Sequence, residues 1–158
     1  MQRLELTCGN WAGTGTGGCS TVESFEYEDR LRFEVDPSYS LIQYEQRTLL
    51  LPSREPSHWE CGFIRPFEDG HVELLNAQGG DRVEVLRGPL DPSGRMDELT
   101  ITLDSVVLAH DPRLVRSRRE LAVRGDTLHY VAHMATHTTP QPELIRHLEA
   151  RLRRVDAP

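Results

Sequence analysis

Between residues 25 and 35, Phe25, Tyr27, Leu31, Phe33 and Val35 alternate with Glu26, Glu28, Arg30, Arg32 and Glu34. A period of two is the side-chain period of a strand with one buried and one wet face, and a helix cannot satisfy it. Asp29 alone interrupts the apolar face. Similar runs fall at 40–51, 57–66, 71–77, 82–88, 99–109, 113–123 and 127–136. Between them lie short turn signals: DPS (36–38), EDG (68–70), GGD (79–81), HDP (110–112) and RGD (124–126). About ten strands joined by short hairpins predict an all-β fold. The expected form is a ten-stranded antiparallel up-and-down β-barrel, lipocalin- or fatty-acid-binding-protein-like, with short helical turns at most. Closure would remove the exposed edges that so many strands otherwise leave. Ten strands enclose more room than eight, so the architecture alone predicts an interior ligand.

The last segment, PELIRHLEARLRRV, fits two periods. Leu144, Leu148, Leu152 and Val155 recur at helical spacing, while Leu148, Ala150 and Leu152 alternate as in a strand. The expectation is a short helical turn passing into the strand that closes the barrel.

Near the N-terminus, Gly9, Trp11, Gly13, Gly15 and Gly17 occupy alternate positions of GNWAGTGTGG. On a strand all five face one way, and glycine weakens a strand by roughly 0.5–1 kcal/mol relative to alanine. Such a stripe implies sharp curvature or close approach of a bulky group. Gly13, Gly15 and Gly18 also satisfy G-x-G-x-x-G, but a dinucleotide site needs a helix next, and FEYEDRLRFEV has strand periodicity.

The 158 residues suit one domain spanning 1–158. A formal net charge of −7 argues against nucleic acid, and all 18 basic residues are arginine, which excludes lysine chemistry. Cys8, Cys19 and Cys61 form no C-x-x-C pair, so a zinc ribbon or disulfide framework is not expected. No secretory leader opens the chain and no apolar run approaches 18 residues; the expected location is cytoplasmic, with no membrane partner. The chain is expected to be a monomer or homodimer.

His129, His133 and His137 share one face but stand roughly 13 Å apart per four residues on a strand, too far for one metal. His147, flanked by Leu144, Ile145 and Leu148, has apolar surroundings in which a neutral imidazole can ligate haem iron or zinc, although a packed or surface histidine fits the same pattern. Met134 reads as a core methionine or as a soft residue lining a cofactor pocket. Arg113, Arg116, Arg118 and Arg119 read as a solvated strand face or as an anion or haem-propionate contact.

Together these residues resemble the nitrobindins, small haem-binding β-barrels with the motif G-x-W-x-G-x-G-x-G followed by a Phe-x-Tyr strand. Here Gly9, Trp11, Gly13, Gly15 and Gly17 precede Phe25-Glu26-Tyr27 with the register kept. Further matches follow in order: YEQRT (44–48), His58-x-Glu60-x-Gly62-Phe63-x-Arg65, VEL (72–74), VEV (83–85), LHYVAHMAT (128–136) and His147-Leu148-x-Ala150-x-Leu152. The resemblance implies one ferric haem b per chain, with the family's proximal iron ligand mapping onto His147. It also implies binding of nitric oxide and isomerisation of peroxynitrite to nitrate, with His147 the catalytic position and Thr21, Met134 and Arg113 at the cofactor. Three features depart from the family. Cys19-Ser20 replaces Tyr-Pro, the segment TTPQPELIR (138–146) is about three residues longer, and the leader before the glycine motif is shorter. Barrel architecture alone equally permits a non-enzymatic carrier of a fatty acid or other apolar ligand, and a haem store or transporter lies between the two.

Overall fold

A computed structural model describes residues 1–19, 22–90, 95–138 and 141–156. Ten strands form one closed sheet: β1 (Gly9–Cys19), β2 (Val22–Asp36), β3 (Leu41–Leu51), β4 (Pro56–Pro66), β5 (His71–Gln78), β6 (Val83–Pro89), β7 (Glu98–Ala109), β8 (Leu114–Arg124), β9 (Thr127–Thr136) and β10 (Ile145–Val155). Each pairs antiparallel with its neighbour in sequence, and β1 pairs with β10 to complete the ring. This is the predicted up-and-down barrel.

The last segment departs from expectation. Residues 145–155 are strand throughout, with no helical turn before them among the described residues. Both β1 and β9 need a partner along this length, and β10 supplies it by turning Leu148, Ala150 and Leu152 inward. Ladder hydrogen bonds on two sides outweigh a weak local preference for helix.

The glycine stripe faces the interior, where two rings lie against it. Gly15 pairs with Tyr27 and Gly17 with Phe25 across β1 and β2. A Cβ on Gly15 would sit 2.4 Å from Cζ of Tyr27, and one on Gly17 would sit 2.2 Å from Cζ of Phe25. Gly15 and Gly17 are bare because these rings occupy the space that side chains would fill, while at Gly13 the Arg151 carbonyl stands 2.4 Å from where a Cβ would sit.

One end of the barrel is plugged. A short 3₁₀ turn, Leu4–Thr7, lies across it with Leu4 buried. Trp11, 1% exposed, fills the space beneath and donates its indole N–H to the Thr7 carbonyl at 2.7 Å. The Arg154 guanidinium lies 4.1 Å over the same ring.

Inward-facing Leu31, Phe33, Ile64, Leu74, Ile101 and Leu103 pack the middle. They leave a cavity of only about 60 Å³, room for a few waters. Bulky inward side chains fill the middle of the barrel, and the cavities beside His147 lie at its open end.

The opposite end is irregular. Among the described pairings, five register shifts occur: four leave Ser57, Val106, Val115 and His147 as extra residues, and the fifth sets Gly18 of β1 against Glu23 and Ser24 of β2. All five lie where β1, β3, β5, β7 and β9 end and their successors begin. Bulges sharpen local twist and re-aim side chains, and they gather at barrel rims.

Candidate functional site at the open barrel end

His147 is the bulged residue of β10: Arg146 pairs with His133 and Leu148 with Ala132, leaving His147 outside the ladder. The bulge tips its ring into the mouth, between two depressions. One, facing β1 and β2, is lined by Gly17, Gly18, Phe25 and Pro52. The other has a volume of about 440 Å³, within the roughly 300–1,000 Å³ of small-molecule clefts. Val22, Met134 and Ile145 give that second cavity an apolar wall, and Arg82, Asp111 and Arg113 give it a charged rim. Cys19 borders both.

Burial lowers the pKa of His147, and the positive charges of Arg82, Arg119 and His58 push the same way against the Gly18 backbone. The imidazole is therefore neutral near pH 7, with a lone pair available. Its Nδ1 is buried without a hydrogen-bond partner among the described residues.

The rim is an ion cluster. Arg82, just before β6, donates from Nη2 to Asp111 Oδ2 at 2.7 Å and from Nη1 to the Met134 sulfur at 3.2 Å. Asp111 also accepts from the backbone N–H and Nε of Arg113, each at 3.1 Å. Burial would raise the Asp111 pKa, but these two arginines hold it down to about 2. Arg113 itself is 75% exposed.

Inside the barrel, charged groups replace part of the apolar core. Arg119 Nη2 donates to Glu60 Oε2 at 2.8 Å and to Glu84 Oε1 at 3.2 Å. Asn76 bridges both carboxylates, Ser117 donates to Glu84, and the His58 ring meets Glu60 at 2.9 Å. Burial opposes ionisation of Glu60, yet Arg119 and His58 keep its pKa near 2. Nearby, Tyr130 O–H and Gln46 N–H donate to Asp29 Oδ2 at 2.6 and 2.8 Å, while the Tyr27 and Tyr130 hydroxyls meet at 2.8 Å. The residue that broke the apolar alternation of β2 is thus an interior hydrogen-bonding centre.

Of the residues singled out in the sequence, His147, Met134 and Arg113 line one cavity. Thr21 lies outside the described residues, as does Ser20. Gly9, Trp11, Gly13 and Gly15 do not line it; Trp11 is at the plugged end. The arginine group divides: Arg113 is on the rim, Arg118 pairs outside with Asp104, and Arg119 turns inward to Glu60 and Glu84. The Val115 bulge and strand alternation send these neighbours in different directions. Thr138, Gln141 and Glu143, from the segment expected to be longer than in the family, stand on the cavity wall. His129 and His133 face Glu149 and Glu120 instead, and no group of three or more potential metal ligands occurs among the described residues. Sequence reasoning missed Arg82 and Asp111; a lone arginine after a Gly-Gly-Asp turn shows no link to residue 147 until the strands are ordered.

A model of the THAP4-like, heme-binding beta-barrel domain matches residues 1–154. The chain belongs to that family. Relatives include an Arabidopsis thaliana protein named peroxynitrite isomerase Rv2717c, 35% identical over 89% of this chain and 82% of its own. Peroxynitrite isomerase 1 of Rhodococcus jostii is 37% identical over 92% and 79%. The crystal structure of Rv2717c from M. tuberculosis superposes with a TM-score of 0.86 at 28% identity, covering 98% of this chain and 96% of that one. The nitrobindin resemblance and the ten-stranded barrel both hold. The cavity also suits the family's cofactor: a neutral imidazole, an apolar wall and a cationic rim match a flat apolar macrocycle bearing carboxylates. Among the described residues no helix is long and apolar enough to cross a membrane.

Proposed function

We propose that this chain binds one haem b at the open barrel end with His147 as the axial ligand, and that the haem-loaded protein isomerises peroxynitrite to nitrate and binds nitric oxide. The observation that carries this reading is His147 itself, a neutral imidazole set outside the ladder by a bulge at the edge of a cavity lined by Val22, Met134 and Ile145. Relatives named peroxynitrite isomerase support the reaction. Bound ferric haem would supply Lewis-acid iron chemistry toward a small anion or nitric oxide. The protein's share is positional. His147 offers its lone pair without first losing a proton, Val22, Met134 and Ile145 exclude water, and Arg82 and Arg113 counter negative charge at the mouth.

Titration with haemin should give a saturable Soret band at one haem per chain. His147→Ala should weaken binding by roughly 100-fold or more, since ligation and burial of the ring are lost together. An unchanged spectrum and affinity in that variant would refute the ligand assignment. Stopped-flow decay of peroxynitrite with nitrate measured as product separates an isomerase from a haem store, which would leave the decay at its rate in buffer.

A further inference from the structure

Arg82 is poorly served by the protein around it. It lies beside the β5–β6 turn, yet its side chain crosses the barrel mouth past β7 and β8 to reach Met134 on β9. It is 18% exposed. A guanidinium carries five N–H donors in a fixed fork. One group meets Asp111 Oδ2, another meets the thioether of Met134, a weak acceptor, and Nε is buried with no partner among the described residues. Asp111 is not its own, because the same carboxylate also takes two hydrogen bonds from Arg113. Two guanidinium groups thus share one carboxylate at the rim. Glu143, the other acidic group on this wall, is exposed. Buried donors are ordinarily paired, so a guanidinium that lines a cavity with Nε unpaired and another group on a weak acceptor is where a ligand's acceptor belongs.

We infer that Arg82 is the anchor for a carboxylate of the bound porphyrin, with Asp111 holding its fork in place and Arg113 adding charge from the outer rim. The inference rests on the haem reading and specifies it further: it sets which edge of the macrocycle faces the β6–β8 side of the mouth. Arginine suits this because its fork matches a carboxylate in two parallel hydrogen bonds, which fixes orientation as well as affinity. Met134 then does two things, packing on the ring and steadying the guanidinium from below.

The test compares ferric haem with its dimethyl ester, in which both carboxylates are capped, by Soret titration of the full chain. The wild type should prefer the free acid by roughly tenfold, the worth of one charge-assisted pair. Arg82→Gln should reduce that preference to about twofold, and Arg82→Lys should keep part of it, through charge without the fork. Equal uptake of acid and ester by the wild type overturns the anchor and leaves the haem reading standing. Full preference retained in Arg82→Gln also overturns it. Uptake of neither porphyrin overturns both readings. Because the wild-type comparison needs no substitution, the inference stays testable if a variant fails to fold.

Discussion

The two ends of this barrel are made from the same ten strands and are built on opposite rules. At the plugged end the register runs without a shift, Trp11 and Leu4 are buried, and a 3₁₀ turn lies across the opening. At the open end each of the five strand junctions carries a bulge or lies beside one, His147 leaves its ladder, and Arg82 stands short of acceptors. Regular pairing satisfies the backbone and holds the fold; interrupted pairing frees side chains for a ligand. Stability and binding therefore separate along the barrel axis, a division that substitution can challenge.

The largest expected effect is at the plugged end. Trp11→Ala removes a fully buried ring and its hydrogen bond to Thr7, and should destabilise the protein by about 3–5 kcal/mol. The melting temperature should fall by roughly 10 °C or more, while haem affinity of the folded fraction stays nearly unchanged. His147→Ala should do the reverse. A loss of haem affinity in Trp11→Ala as large as in His147→Ala would end the separation.

Gly15→Ala probes the region between. The new methyl would meet the Tyr27 ring at 2.4 Å and the Glu149 carbonyl at 2.6 Å. The expected cost is about 1–3 kcal/mol by denaturant titration, since the Glu149 backbone cannot yield cheaply. A neutral result would mean that curvature, not ring packing, accounts for the stripe.

The smallest effect belongs to Asp29. Burial raises its pKa from 3.8 to about 6, against the hydrogen bonds from Tyr130 and Gln46 and with some help from the Glu60 charge. A folded-state pKa above the unfolded one means that the folded state binds its proton more tightly. The ionised group is then unfavourable to folding, and stability falls as pH rises from about 4 to about 6. Asp29→Asn should be more stable than wild type by about 1–2 kcal/mol at pH 7.5, with the difference vanishing near pH 3.5. Lower stability of the variant at both pH values would show that Asp29 holds the interior as an anion.

Alternation of Phe25 to Val35, the glycine positions and the turn residues already contained the strands, their antiparallel order and the closed ring. These are properties of neighbours along the chain, and a period of two or a Gly-Asp turn acts through the local backbone. The order of the matched motifs likewise singled out His147. The tertiary structure alone decided the rest. Residues 145–155 became strand because β1 and β9 both lacked a partner. The space inside was closed by inward side chains, and adjacent arginines 118 and 119 were sent to opposite faces. Arg82, Asp111, Met134 and His147 met at one mouth through ring closure and bulges. Register and closure depend on pairings between strands far apart in sequence, so the composition of a binding site at their ends is not carried by any local pattern.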